Sequence, residues 1–316
     1  MHARDSLRDT RSAHEDAHVT YSVVARDPET GAFGVAVQSH YFSVGAVVPW
    51  VQAGVGAVAT QASAEPSYGP LGLERMRAGE SAAAALAALV AADAGRDTRQ
   101  VAMVDNRGEA VAHTGSACVA HAGARGGPGW SVQGNMLRSA GVPDAMAEAF
   151  AGASGDLLDR LLATLDAAEA AGGDVRGQQS AALLVAMPAP DGTITTGAAL
   201  RLHVEDHERP LVELRRLVNM RRGYELLDAS FVRVQTGNLD GLVPELERAL
   251  ELAPTSDTIR FRLGAALTLF GDPRGRPMLD ELFAQNPGWR ELIPRLAAVG
   301  EIPDIPGAVE LLTGPA

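Results

Sequence analysis

The sequence predicts an α+β fold of layered sheets and helices followed by a smaller all-helical region, and three observations predict it. Up to about residue 204, strand-length runs of β-formers alternate with helical periodicity, in the order strands, helices, strands, helices, strands. Small residues are abundant, with 34 Gly and many Ala, while aromatics are only 4%, so layers can approach closely and pack tightly. From about Leu211 onward only helical patterning remains. Two sheets packed face to face with helices outside would bury the first pattern economically. Periodicity alone leaves the strand order open. A length of 316 residues suits two domains, or one large and one small.

Residues 1–19 are polar throughout and read as a disordered extension. Residues 20–26 form the first strand, residues 27–31 carry Asp-Pro and Gly turn chemistry, and residues 33–39 return as a second strand. Residues 44–48 and 55–61 read as buried strands, separated by Pro49 and Gly54. A short helix fits residues 71–77 after Pro70, and Ser81 is a fitting N-cap for an Ala/Leu-rich helix over 82–92. Strands return at 100–105 and 109–113, joined by Asn106, Arg107 and Gly108 in a hairpin. Residues 130–133 suggest a strand edge, residues 143–150 and 156–170 are helical by period, and residues 180–187 and 198–204 close the set as strands.

Charge and cysteine content exclude several classes. The formal charge of −12 arises with no Lys at all, and no basic block is large enough to displace counterions from a nucleic acid or an anionic membrane. Cys118 is the only cysteine, which leaves no intrachain disulfide and no multi-Cys zinc site. Residues 1–19 lack the apolar segment of a signal peptide, and no apolar run reaches spanning length unbroken by Gly, Pro or charge. A cytoplasmic protein is expected.

Several ordered blocks carry a resemblance. Residues 20–31, 47–61, 65–70, 133–135 and 172–183 are similar to successive blocks of the DUF1028 family, a domain of unknown function placed among the Ntn-hydrolase-like folds. The resemblance covers most of residues 20–204 and implies a four-layer αββα sandwich. It implies no substrate. It divides the chain into residues 1–19, an Ntn-hydrolase-like domain over 20–208 and a helical tail over 209–316.

In an Ntn hydrolase the first residue of the mature chain is the nucleophile and its own α-amine is the base. An α-amine has a pKa of about 8, which leaves a neutral fraction near neutral pH. Thr20 opens the first strand and is the candidate, and members of the family often place this Thr directly after the initiator Met. Here nineteen residues precede it, so its nitrogen is an amide as the chain is written. An upstream start, removal after translation, and a purely structural Thr all fit; Thr is a good strand-former in its own right.

The matching blocks supply companions. Gly134 and Asn135 would offer close approach and an amide donor to an oxyanion, or simply a turn after a strand. Ser22 shares a strand face with Thr20 and reads as a supporting hydroxyl or a packing residue. Ser39 and Gln61 sit at expected strand ends and could line the substrate pocket. Asp174 and Arg176 could orient the amine or bind a substrate carboxylate, or only shape a Gly-rich turn. No cofactor is expected.

Other motifs are weaker. Residues 54–59 match GxGxxA but run into a strand-like segment where a dinucleotide site needs a helix to open. His203 and His207 bracket two carboxylates, yet at a strand end approaching Pro210 rather than on a helix, so a metal-dependent hydrolase is the remote alternative. His113 and His121 read as structural histidines and Cys118 as inert. No GxSxG elbow is present.

The tail repeats at a tetratricopeptide-like period. Gly237 and Gly271, Ala249 and Phe283, and Pro254 and Pro287 recur at offsets of 33 to 34 residues. About two repeats are too few for a free-standing solenoid, so packing, homo-oligomer contacts or a peptide partner are the expected uses. The function expected is hydrolysis of an amide bond in a small molecule by Thr20. The competing class is a non-catalytic binding module whose tail docks a partner.

Overall fold

The computed structural model describes residues 20–188, 200–303 and 305–314. The expectations for residues 1–19 and for the start of the last strand at residue 198 lie outside the described residues. The chain is a mixed α/β protein with two antiparallel sheets, and its contacts divide it into two compact units that meet between Arg215 and Arg216.

In the first unit β1 (Thr20–Arg26) and β2 (Phe33–Ser39) form a hairpin whose turn is closed by the Asp27 carboxylate. β3 (Pro49–Gln52) and β4 (Gly56–Ala62) follow, then α1 (Tyr68–Arg77) and α2 (Ala82–Ala92). β5 (Arg99–Asp105), β6 (Ala110–Thr114), β7 (Gly123–Gly127) and β8 (Trp130–Asn135) precede α3 (Val142–Gly152) and α4 (Leu157–Ala170). β9 (Ser180–Ala186) and β10 (Leu200–Val204) complete the strands. One sheet has the order β10-β9-β2-β1-β8-β7 and the other β3-β4-β5-β6.

Strand alternation sorts each strand's residues onto two faces. Val24, Val35, Val37 and Leu184 of the larger sheet meet Ala57, Ala59, Ala102 and Val104 of the smaller one in a single apolar layer. The opposite face of the smaller sheet, with Val58, Val101 and Met103, packs on Tyr68, Leu73, Leu86 and their neighbours in α1 and α2. α3 and α4 lie against the larger sheet, where a Cβ on Gly34 would collide with Leu161 at 2.6 Å.

Two expectations need correction. Residues 44–48 are not a strand: Val44–Ala46 is a short 3-10 turn, entered through Ser43 at φ +58°. Pairing starts instead at Pro49, on an edge strand, where the N–H that proline lacks is not needed. The first helix starts at Tyr68 rather than 71, because Pro70 falls in its first turn, where backbone N–H groups have no helical partner. β7, a Gly-rich segment with no strand patterning, was absent from the expected set; it exists by pairing with β8 at the sheet edge.

Several local expectations hold. The Ser81 hydroxyl accepts from Ala84 N at 3.3 Å as the cap of α2. Asp105 is buried, and one carboxylate oxygen takes the Arg107 and Glu109 N–H groups of the hairpin while the other takes Ala82 N at 3.0 Å. That single side chain ties the β5–β6 turn to the start of α2. Gly108 supplies the left-handed position, φ +80°, that this turn requires.

From Arg216 the second unit is all helix. α5 (Pro210–Thr236) carries its start, followed by α6 (Leu242–Leu252), α7 (Asp257–Leu269), α8 (Gly275–Gln285), α9 (Gly288–Ala298) and α10 (Ala308–Thr313). Gly237 at φ +70° and Gly271 at φ +75° each end a helix in the left-handed conformation. Ala249 and Phe283 are both buried in the helix that comes next. Two apolar clusters centre on Leu246 with Ile259 and on Leu279 with Ile293. Among the described residues no helix is long and apolar enough to cross a membrane.

Candidate functional site

The layer between the two sheets changes character along its length. At one end it is aliphatic; at the other, strand positions in phase with Val24, Val35, Ala59 and Ala102 carry Thr20, Ser22, Ser39, Gln61, Gln100, Gln133 and Asn135. Each of these seven is at most 1% exposed. Buried polar groups cost about 1–3 kcal/mol each when unpaired, so such a cluster survives only by hydrogen bonding within itself.

Register places Thr20 at its centre. Thr20 faces Ser39 across β2 and Asn135 across β8. Its hydroxyl donates to Ser39 Oγ at 3.1 Å, and its backbone carbonyl accepts from Gln61 Nε2 at 3.1 Å and Asn135 Nδ2 at 3.5 Å. Ser22 Oγ donates to Gln61 Oε1 at 2.6 Å and accepts from Gln133 Nε2 at 3.3 Å.

Gln100 organises the amides. Its Oε1 accepts from Gln61 Nε2 at 2.8 Å and from Asn135 Nδ2 at 3.1 Å. Its Nε2 lies within hydrogen-bond distance of Gly134 O, Thr114 Oγ1 and Gly123 O, at 2.8, 3.1 and 3.2 Å. These bonds orient both amide groups toward the carbonyl of Thr20.

The other expected residues take different places. Gly134 lends its carbonyl to Gln100, and its lack of a side chain is demanded by packing, since a Cβ would lie 2.7 Å from Leu137. Asp174 is buried and spends its carboxylate on Arg176, on Arg176 N at 2.8 Å and on His40 N at 2.9 Å. It thereby fastens the start of the segment that walls the Thr20 cavity, but neither Asp174 nor Arg176 lines that cavity. The structure thus gathers Thr20, Ser22, Ser39, Gln61 and Asn135 and sets the Asp174–Arg176 pair aside as a loop anchor.

A cavity of about 10 Å³ opens on Thr20 and Gln61, the room of roughly one water. Val44, Val48 and Ala62 form its buried walls, and the half-buried Tyr41, Val47 and Ala64 its rim. Three non-glycine residues with positive φ adjoin the cluster: Ser43 at +58°, Ala62 at +67° and Met136 at +50°. Each such conformation costs on the order of 1–3 kcal/mol and persists where the surroundings over-determine it. Ala62 follows Gln61, Met136 follows Asn135, and Ser43 leads into Val44.

Gln100 and Gln133 escaped the sequence reading. The available signal was a Gln standing in phase with inward-facing Ala and Val residues of a strand that is otherwise buried. On the back of β1, Tyr21 donates to Glu169 at 2.9 Å; burial and then the Glu169 charge push its phenol well above the ordinary range, so it stays protonated. The GxGxxA run lies in the β3–β4 hairpin, where no helix opens. Among the described residues no group of three or more His, Cys, Asp or Glu side chains, around His203 and His207 or elsewhere, is placed to hold a metal.

Fold and site together define a two-sheet α/β protein with a hydroxyl-and-amide cluster sealed into one end of its inter-sheet layer. A family described as a family of unknown function, DUF1028, matches residues 20–214, and the chain belongs to that family. A protein of Silicibacter pomeroyi described as a DUF1028 member, known from its crystal structure, is 34% identical, with a TM-score of 0.57 over 63% of this chain and 88% of that one. No curated protein matches the chain.

Proposed function

We propose that residues 20–208 form the four-layer αββα sandwich of the Ntn hydrolases, and that Thr20, once it is the first residue of the chain, is the nucleophile of an amide-bond hydrolase acting on small molecules. The observation that carries this proposal is the place of Thr20, at the head of a central strand and in the lining of a small cavity. A freed α-amine would sit on the neighbouring carbon of the same residue, within reach of its hydroxyl by covalent geometry alone.

Thr20 supplies both nucleophile and base, and water is the co-reactant. Oγ1 attacks the amide carbonyl carbon while its proton passes to the α-amine, directly or through one water. The C–N bond then breaks, the leaving amine takes that proton, and the acyl group stays on Oγ1 as an ester. Water attacks the ester, the carboxylic acid departs and the proton returns to Oγ1. Asn135 Nδ2 is the proposed donor to the oxyanion: Gln100 Oε1 holds one of its N–H groups, and the other would exchange its long 3.5 Å contact with the Thr20 carbonyl for the oxyanion. Ser39, Ser22 and Gln61 hold the nucleophile and the strand end that bears it.

For the helical unit we propose a tetratricopeptide-like pair of repeats used for a peptide or for a second copy of the chain. The matched helix ends at Gly237 and Gly271 support it. One observation favours a non-catalytic binding module instead: the hydroxyls and amides around Thr20 largely satisfy one another. Mass spectrometry of hydrolytically active protein separates the two. A chain beginning at Thr20 supports the enzyme, and full activity in a chain that keeps its upstream residues removes the mechanism.

A further inference from the structure

The cavity over Thr20 is small and carries no charged lining side chain among the described residues. Thr20, Gln61 and the Tyr41 hydroxyl are the polar side chains of its lining, and Val44, Val47, Val48, Ala62 and Ala64 supply only aliphatic carbon. Arg176, the residue expected to bind a substrate carboxylate, pairs with Asp174 and does not line this space. Val44, Val48 and Ala62 are buried, whereas Tyr41, Val47 and Ala64 are half-buried, so the space has a closed apolar inner wall and an open rim.

Resting on the hydrolase reading above, we propose that this cavity is the acyl subsite and that it selects amides of small, uncharged, apolar acyl groups of about acetyl size. The acyl methyl occupies the Val44–Val48–Ala62 wall, while the amine portion points through the Tyr41–Val47–Ala64 rim. When the C–N bond breaks, the acyl group remains on Thr20 Oγ1 and the amine leaves with its proton past the rim. A carboxylate on the acyl group would be stripped of water beside three aliphatic side chains, with no cationic side chain among the described lining residues to receive it, which is strongly unfavourable. A longer chain would have to displace Val44 or Val48 from a packed layer. The amine portion is unconstrained by this wall.

The test uses the full chain carrying a protease site immediately before Thr20, cut after folding so that Thr20 becomes the first residue. Rates are compared on aminocoumarin amides of acetyl, hexanoyl and succinyl groups, with the butyryl amide added for the wall variants. Acetyl is expected to exceed both others in kcat/KM by about 100-fold, the discrimination that a few misfitting carbons or a buried charge can supply. Val44→Ala should shift the preference toward butyryl by about tenfold, and Val48→Ala provides the same reading should the first variant fold poorly. Cleavage that favours hexanoyl or succinyl leaves the hydrolase standing and overturns the subsite. No cleavage of any amide in the series overturns the hydrolase reading and the subsite with it.

Discussion

Gln61 Nε2 donates to Gln100 Oε1 across a 2.8 Å gap, joining β4 to β5 inside the layer that separates the two sheets. The same Gln100 oxygen receives Asn135 Nδ2, so one buried amide sets the orientation of two others. Replacing Gln100 by Leu would leave Gly134 O, Gln61 and Asn135 short of partners in a dry layer. We expect a loss of about 2–4 kcal/mol of stability, read as a fall in the urea midpoint. Gln100→Glu, which keeps an acceptor but loses the donor to Gly134 O, should be destabilised as well.

Thr20→Ala should abolish hydrolysis by the chain that begins at residue 20 and lower stability by only about 1 kcal/mol, the value of one hydrogen bond to Ser39. Thr20→Ser keeps both the hydroxyl and the amine and should keep measurable turnover. Activity assays beside thermal melts of the two variants check both statements, and a fully active Thr20→Ala would sink the nucleophile assignment.

Gln38 faces the helices from β2, is fully buried, and neither end of its amide finds a partner among the described residues. An apolar replacement of the same shape removes that desolvation cost. Gln38→Met is therefore expected to stabilise the fold by about 1 kcal/mol in chemical denaturation, and a destabilised variant would contradict this.

Asp93 links Tyr68, Gly95 and Arg99. Burial opposes its charge, but the Arg99 guanidinium and the Gly95 N–H outweigh burial and hold its carboxyl below the usual carboxylate value. Burial and the same carboxylate push the Tyr68 phenol up to about 12. A carboxyl whose folded pKa is depressed adds stability that is complete above its unfolded pKa, about 4, and disappears as pH falls through the folded value. Urea melts at pH 6 and pH 3 should therefore show the gap between the parent and Asp93→Asn narrowing on acidification. A gap that widens would refute the linkage.

Two glycines separate backbone cost from packing cost. Gly271 is left-handed with open space around a built Cβ, so Gly271→Ala should cost about 1 kcal/mol through conformation alone. At Gly69 a Cβ would lie 2.2 to 2.4 Å from the Trp50 ring, and Gly69→Ala should cost distinctly more, up to about 3 kcal/mol from overpacking. Thermal melts of the pair give the comparison.

Strand and helix positions were legible wherever one physical pattern dominated. The Asp27 turn, the Asp105–Gly108 hairpin and the Ser81 cap announced themselves because turn and cap chemistry is local. Residues 44–48 misled because a valine-rich run looks the same whether its burial comes from a strand or from a short turn pressed on the core. β7 was invisible because an edge strand of glycines is specified by its neighbour β8. In the site, Thr20, Ser22, Ser39, Gln61 and Asn135 could be named one by one from matching blocks. Their convergence depends on register between strands far apart in the chain, and Gln100 matters only through that convergence.

The most direct test is where an acyl group becomes attached. The chain cut to begin at Thr20 is mixed with an acetyl amide substrate, quenched in acid during turnover, digested and sequenced by fragmentation mass spectrometry. An acetyl ester on the residue-20 hydroxyl, lost in Thr20→Ala and missing from the uncut chain, is the expected result. Turnover with the adduct on another residue, or an equal adduct on the uncut chain, would contradict a nucleophile activated by its own amine.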